Sequence, residues 1–283
     1  MLISKLSKST SGLITSGIFY TVVLLIAVGL KYHYSRAGSD DLGWILGPTA
    51  GMVETISGIR FEKEAGSGYI NRKCRVIIAP SCAGVNFLII AFCMATFSGL
   101  PHLRYSGTKA LWLGICAASA YLLTITVNAF RIIASIYTIE ADIHYQWMTP
   151  ERLHRIEGVF IYFIFLCLFY SVLRKTIRFC NRNTIRNTEK RINKNKNSTR
   201  IIPAAFIPFF WYGLFSMGVP FFNRAYHKNG PQFIEHCLMI FSVCLVVFLL
   251  IFLIQLCWCR IGSKTGSDGE YPKVQKMPIQ QNF

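Results

Sequence analysis

Long apolar runs separated by short polar stretches set the pattern of this chain. Six of them, residues 12–30, 83–100, 110–130, 156–173, 201–222 and 237–258, approach or exceed the ~20 residues with which an α-helix crosses a bilayer core. A seventh stretch, residues 42–58 (LGWILGPTAGMVETISG), is interrupted by Pro48, four glycines and Glu54, and suits a half-helix or interfacial segment. Residues 59–77 are charged around Gly66-Ser67-Gly68, whose flanks can pair as a short hairpin near 60–78. The pattern predicts an all-α polytopic integral membrane protein with about six transmembrane helices. Residues 12–30 also fit a cleaved signal peptide, given the basic start and Ala27-Val28-Gly29. The run exceeds a usual signal core, which favours an uncleaved first helix.

Composition agrees with a membrane setting. Of 283 residues, 53% are apolar and only 15% are charged, against roughly a quarter charged in soluble domains. In a soluble chain a net charge of +17 would suggest nucleic acid. Here residues 174–200 hold ten Lys or Arg against a single acid, Glu189, between two apolar runs. Such a block reads as a cytoplasmic loop facing anionic headgroups, with no nucleic-acid partner. Placing it inside puts both termini and residues 101–109 inside with six crossings, and residues 31–82, 131–155 and 223–235 outside. The ten cysteines include no C-x-x-C pair, and several fall inside apolar runs, so neither a disulfide framework nor a metal site is predicted. No cofactor-binding motif is present.

One stretch changes this picture. At Ile78-Ala79-Pro80-Ser81-Cys82 a β-prone run meets a proline and then a cysteine, just before an apolar span. Pro80 biases Ala79 away from helix and suits a helix start, so a helix is expected near Cys82, whose thiol would face amide donors and the positive end of the dipole. Arg131 is expected to close the 110–130 span, with residues 132–142 either amphipathic or a continuation of that helix, and His154 to precede the 156–173 span, on the same outer face. The three residues form a coherent chemical set: a cysteine nucleophile, an imidazole acid–base and a guanidinium for a carbonyl or its oxyanion. Each also has an inert reading: Cys82 as packing, Arg131 as a snorkelling anchor, His154 as a solvated loop residue. His144 and His33 are rivals to His154; His102 falls inside. Glu157 lies one turn from His154 and could orient its ring. Ser81 lacks a nucleophile-elbow motif.

The strings PSCAGVNFL, NAFRI and LHRIEG, in that order at span edges, resemble the exosortase/archaeosortase family. Residues 45–61 and 68–92 look most like its exosortase K branch. The resemblance covers roughly residues 12–178. It implies a membrane cysteine protease or transpeptidase with Cys82 as nucleophile, Arg131 as carbonyl-side stabiliser and His154 as acid–base. It also implies a substrate: an exported protein ending in a short motif, an apolar helix and a basic cluster. The setting it implies is the bacterial cytoplasmic membrane, with the site on the outer side. On this reading residues 1–178 form the catalytic core, 179–200 a basic cytoplasmic loop, 201–260 two further helices and 261–283 a polar cytoplasmic tail. A small transporter using the broken 42–58 segment, and a non-catalytic scaffold that docks through its basic loop, are the other readings.

Overall fold

A computed structural model describes the backbone of residues 2–73, 76–103, 105–140, 149–188, 205–222, 224, 227 and 230–264, and the side chains of most of these from Thr15 onward. His144 and residues 189–200 of the basic block lie outside the described residues.

Helix α1 runs Leu2–Arg36 and α2 runs Gly43–Ser57. Strands β1 (Glu62–Glu64), β2 (Gly68–Asn71) and β3 (Val76–Ile78) follow, and then a 3₁₀ turn, Pro80–Cys82. Helices α3 (Val85–Gly99), α4 (Ser106–Glu140) and α5 (Pro150–Thr188) come next. Helix α6 (Phe206–Gly213) passes through a π turn, Leu214–Gly218, into α7 (Val219–Phe222), and α8 spans Gly230–Lys264.

Among the described residues, five helical segments are long and apolar enough to cross a membrane: Thr15–Arg36, Pro80–His102, Ser106–Thr138, Arg152–Phe179 and Gly230–Gln255. Phe206–Phe222 is a shorter apolar helix. The protein is therefore a helical, polytopic membrane protein. Its outward apolar side chains fit a lipid surface, since α1 exposes Leu25 and Val28 and α8 exposes Leu238, Leu253 and Ile254.

Helix α3 is the centre. It is apolar all round, as a helix enclosed by others must be, and Phe87, Ile89, Ile90, Cys93 and Met94 are each at most 2% exposed. Helices α1, α4, α5 and α6 pack around it. Close approach at its far end needs a small residue: a Cβ at Gly99 would collide with the Trp112 indole of α4.

Helix α2 is 15 residues long, or ~22 Å at 1.5 Å per residue, too short for a ~30 Å core. It buries Ile45, Leu46, Thr49, Ala50 and Val53 and packs on α4 and β2. Gly58, left-handed at φ 73°, ends it, with its N–H donating to the Glu54 carbonyl. The strands that follow form an antiparallel meander, β1-β2-β3, pairing Lys63 with Tyr69 and Tyr69 with Ile78. Gly68, at φ +112°, leaves no room for a Cβ beside the Ile78 carbonyl. This small sheet delivers the chain to Pro80.

Candidate active site

Cys82 is held by a turn rather than by the helix that follows. Pro80 starts the 3₁₀ turn after an extended Ala79 (ψ 173°), and the Cys82 N–H donates to the Ala79 carbonyl at 2.8 Å. Gly84 then takes a left-handed conformation, φ 68°, and α3 begins only at Val85. The expected helix start near Cys82 is thus displaced by three residues, because the Gly84 kink separates the turn from the helix. Cys82 is half-buried. Two side chains fix the turn: the Tyr34 hydroxyl of α1 donates to the Pro80 carbonyl at 3.3 Å, and the Asn128 amide of α4 donates to the Cys82 carbonyl. The kink brings the chain close to α4; a Cβ on Gly84 would lie 3.2 Å from Thr124 Cγ2 and 3.3 Å from Asn128 Cγ.

Arg131 does not close its span. Helix α4 continues to Glu140, so Arg131 lies within the helix, and residues 132–140 extend that helix. Its guanidinium is divided between two partners: Nη1 donates to the Tyr162 hydroxyl at 2.8 Å, and Nη2 lies 3.0 Å from His154 Nε2. It also sits over the Tyr162 ring, 5.4 Å from its centroid. Gly158 makes room for it, since a Cβ there would come within 3.3 Å of Nε. That Nε is buried without a hydrogen-bond partner.

His154 lies in the first turns of α5, which begins at Pro150. A guanidinium only donates, so Nε2 accepts and the ring carries its proton on Nδ1. Nδ1 in turn lies 2.7 Å from the Ser135 hydroxyl, which accepts it. Glu157 does not orient the ring; its Oε1 accepts from Thr138 Oγ1 at 3.4 Å and its Oε2 is buried without a partner. Helical geometry explains this: Ser135 reaches across from α4, whereas Glu157 is turned towards Thr138.

The contacts join into one chain. Tyr162 donates to Asn128 Oδ1 at 2.8 Å while accepting from Arg131, and its ring stacks on Phe87 at 4.9 Å. From the Cys82 carbonyl the path runs through Asn128, Tyr162, Arg131 and His154 to Ser135. Two of the three sequence-predicted residues, Arg131 and His154, are in direct contact. Cys82 joins them through its backbone carbonyl, which accepts from Asn128. Among the described residues, the side-chain contact of Sγ is with Ser81 Oγ at 4.0 Å, and no hydrogen bond joins Sγ to His154.

Sequence reading missed Asn128, Ser135, Tyr162 and Tyr34. Asn128, Arg131 and Ser135 follow the i, i+3, i+7 rhythm of one α4 face, and His154, Gly158 and Tyr162 share a face of α5. That spacing was the available signal. Among the described residues no group of three His, Cys, Asp or Glu side chains could hold a metal ion.

Beside the Arg131–His154 pair opens a cavity of about 660 Å³ between α1, α3, α5, the π turn and α8. Its walls include Tyr212, Phe215, Ser216 and Ile240, so the segments after residue 200 complete it. The π turn, a local irregularity often found at functional sites, carries two of those residues. No protein-family model, curated protein or solved structure matches the chain.

Proposed function

We propose that the protein is a membrane-embedded cysteine peptidase or transpeptidase that removes the C-terminal sorting signal of an exported protein. Six crossings, with residues 206–222 as the fifth and both termini and the basic 174–200 block in the cytoplasm, put Cys82, Arg131 and His154 on the outer side of a bacterial cytoplasmic membrane. Residues 1–178 form the catalytic core, and the two later helices wall the cavity beside it.

The observation that carries this reading is the direct contact of Arg131 with His154, tied through Tyr162 and Asn128 to the Cys82 turn. Polar groups at membrane depth are costly and mark function, and this chain places an arginine, a histidine, an asparagine and a tyrosine together. The Cys82 thiol gives its proton to His154 Nε2 and the resulting thiolate attacks a substrate carbonyl carbon, forming a C–S bond and a tetrahedral oxyanion that Arg131 stabilises. Collapse breaks the C–N bond, with His154 delivering the proton to the departing amine and a thioester left on Cys82. An incoming nucleophile then gives its proton to His154, attacks the thioester and restores the thiol. For this cycle Nε2 exchanges its resting contact with Arg131 for the reacting groups, as catalytic hydrogen bonds often tighten only with substrate bound.

The test is Cys82→Ala in cells. The variant folds and reaches the membrane at wild-type level, yet exported precursors retain their C-terminal segments. Unchanged processing would refute the reading.

A further inference from the structure

The cavity beside Arg131 has a chemical polarity that the peptidase reading does not use. At one end stand Lys31 from the last turns of α1, Arg155 from the start of α5 and His236 from the start of α8, beside Arg131 and His154. Among the described residues no Asp or Glu lines it. The acid next to His236, Glu235, is already paired with Arg152 at 2.9 Å. Away from this end the walls turn apolar, with Leu24, Val28, Ile90, Phe215 and Ile240. From Lys31 down α1 to Leu24 is seven residues, or ~10 Å at the helical rise of 1.5 Å per residue. The space is therefore cationic at the helix ends and apolar along the helices.

We propose that this cavity is a binding site for an anionic phospholipid, with the phosphate among Lys31, Arg155 and His236 and an acyl chain along α1 and α3. Three observations carry it. First, Lys31, Arg131 and Arg155 are unmatched by any acid among the described lining residues, so charge complementarity calls for an anion. Second, Lys31 uses one hydrogen bond, to Asn86 Oδ1 at 2.8 Å, and lies over the Tyr34 ring, and an ammonium has three donors. Third, the exposed apolar faces of α1 and α8 put the cavity in contact with the bilayer, where acyl chains are at hand. A soluble phosphate would leave the ~10 Å of apolar wall unused. The site stands on the cavity and its charges, and holds whether or not Cys82 is catalytic.

The experiment is native mass spectrometry of the full chain in detergent, titrated with dioleoyl phosphatidylglycerol or dioleoyl phosphatidylcholine. Phosphatidylglycerol is expected to bind in preference, and Lys31→Gln/Arg155→Gln to weaken it about thirtyfold, from two basic contacts at the anionic surface. Arg60→Gln/Lys73→Gln, which removes the same charge from exposed positions outside the cavity, leaves that binding unchanged. Lys31→Arg/Arg155→Lys keeps the charges and retains the lipid, separating loss of the site from loss of the fold. Equal binding of the two lipids would overturn the proposal. So would equal weakening by the two glutamine variants, or displacement of the lipid by millimolar inorganic phosphate.

Discussion

The Asn128 side chain holds the backbone of Cys82: its amide donates to the Cys82 carbonyl while its own carbonyl accepts from the Tyr162 hydroxyl at 2.8 Å. Asn128 is fully buried, so neither bond has water to replace it. The residue thereby couples the turn that carries the cysteine to the helix faces that carry Arg131 and His154.

Asn128→Ala is expected to leave both partners unpaired, at about 1–3 kcal/mol each for a buried polar group. The thermal midpoint in detergent should fall, and processing should fall further than Tm alone explains, because the Cys82 turn loses its tether. Asn128→Asp, which as a carboxylate accepts from Tyr162 but repels the Cys82 carbonyl, should not recover the activity.

Gly84 is the second constraint on that turn. Its φ is 68°, and a methyl group on its Cα would lie within 3.4 Å of atoms of Thr124 and Asn128. Gly84→Ala therefore combines left-handed strain of about 1–2 kcal/mol with displacement of Asn128. A drop in thermal midpoint is expected together with loss of processing. A fully active, equally stable Gly84→Ala protein would show that the kink does not matter.

Ser135 acts on His154 alone in this arrangement, through the 2.7 Å contact at Nδ1. Ser135→Ala is expected to lower the processing rate about tenfold, less than the roughly 10²-fold or more of losing the general acid–base itself, by freeing the ring to take the wrong tautomer. Ser135→Thr keeps the hydroxyl and should retain most of the rate. Single-turnover processing in membranes distinguishes the two, and equal rates for Ala and wild type would remove Ser135 from the site.

The orientation has its own measurement. A membrane-impermeant maleimide applied to intact cells should label the wild-type protein more than Cys82→Ser, since Cys82 is half-buried rather than enclosed and lies on the outer side in the proposed topology. Identical labelling of the two would place Cys82 away from the outer surface.

The broad architecture was legible because hydrophobic run length is a strong signal in lipid, and because Pro48 and the glycines of residues 42–58 mark a segment that stays short, as the 15-residue α2 does. Pro80 similarly announced the end of an extended segment, which is β3 and its exit. What was not legible depends on pairing across helices. Arg131 directly follows the 110–130 run, and the sequence leaves open whether the helix goes on; α4 continues because residues 132–138 offer a buried face, with Ile132 and Ile136 inside. Glu157 is one turn from His154 along the chain, but Ser135, 19 residues away, meets the ring. Gly84 reads as an ordinary small residue until its positive φ separates Cys82 from α3. Local sequence carries period and punctuation; it does not say which helix face meets which.

The most direct test of the proposed chemistry is interception of the thioester. Membranes carrying the wild-type protein and its exported substrates, treated with hydroxylamine, should yield a cleaved product whose new C-terminus is a hydroxamate. Cys82→Ala membranes should yield neither cleavage nor hydroxamate. A Cys82→Ala protein that produces the same cleaved termini as wild type would contradict the account.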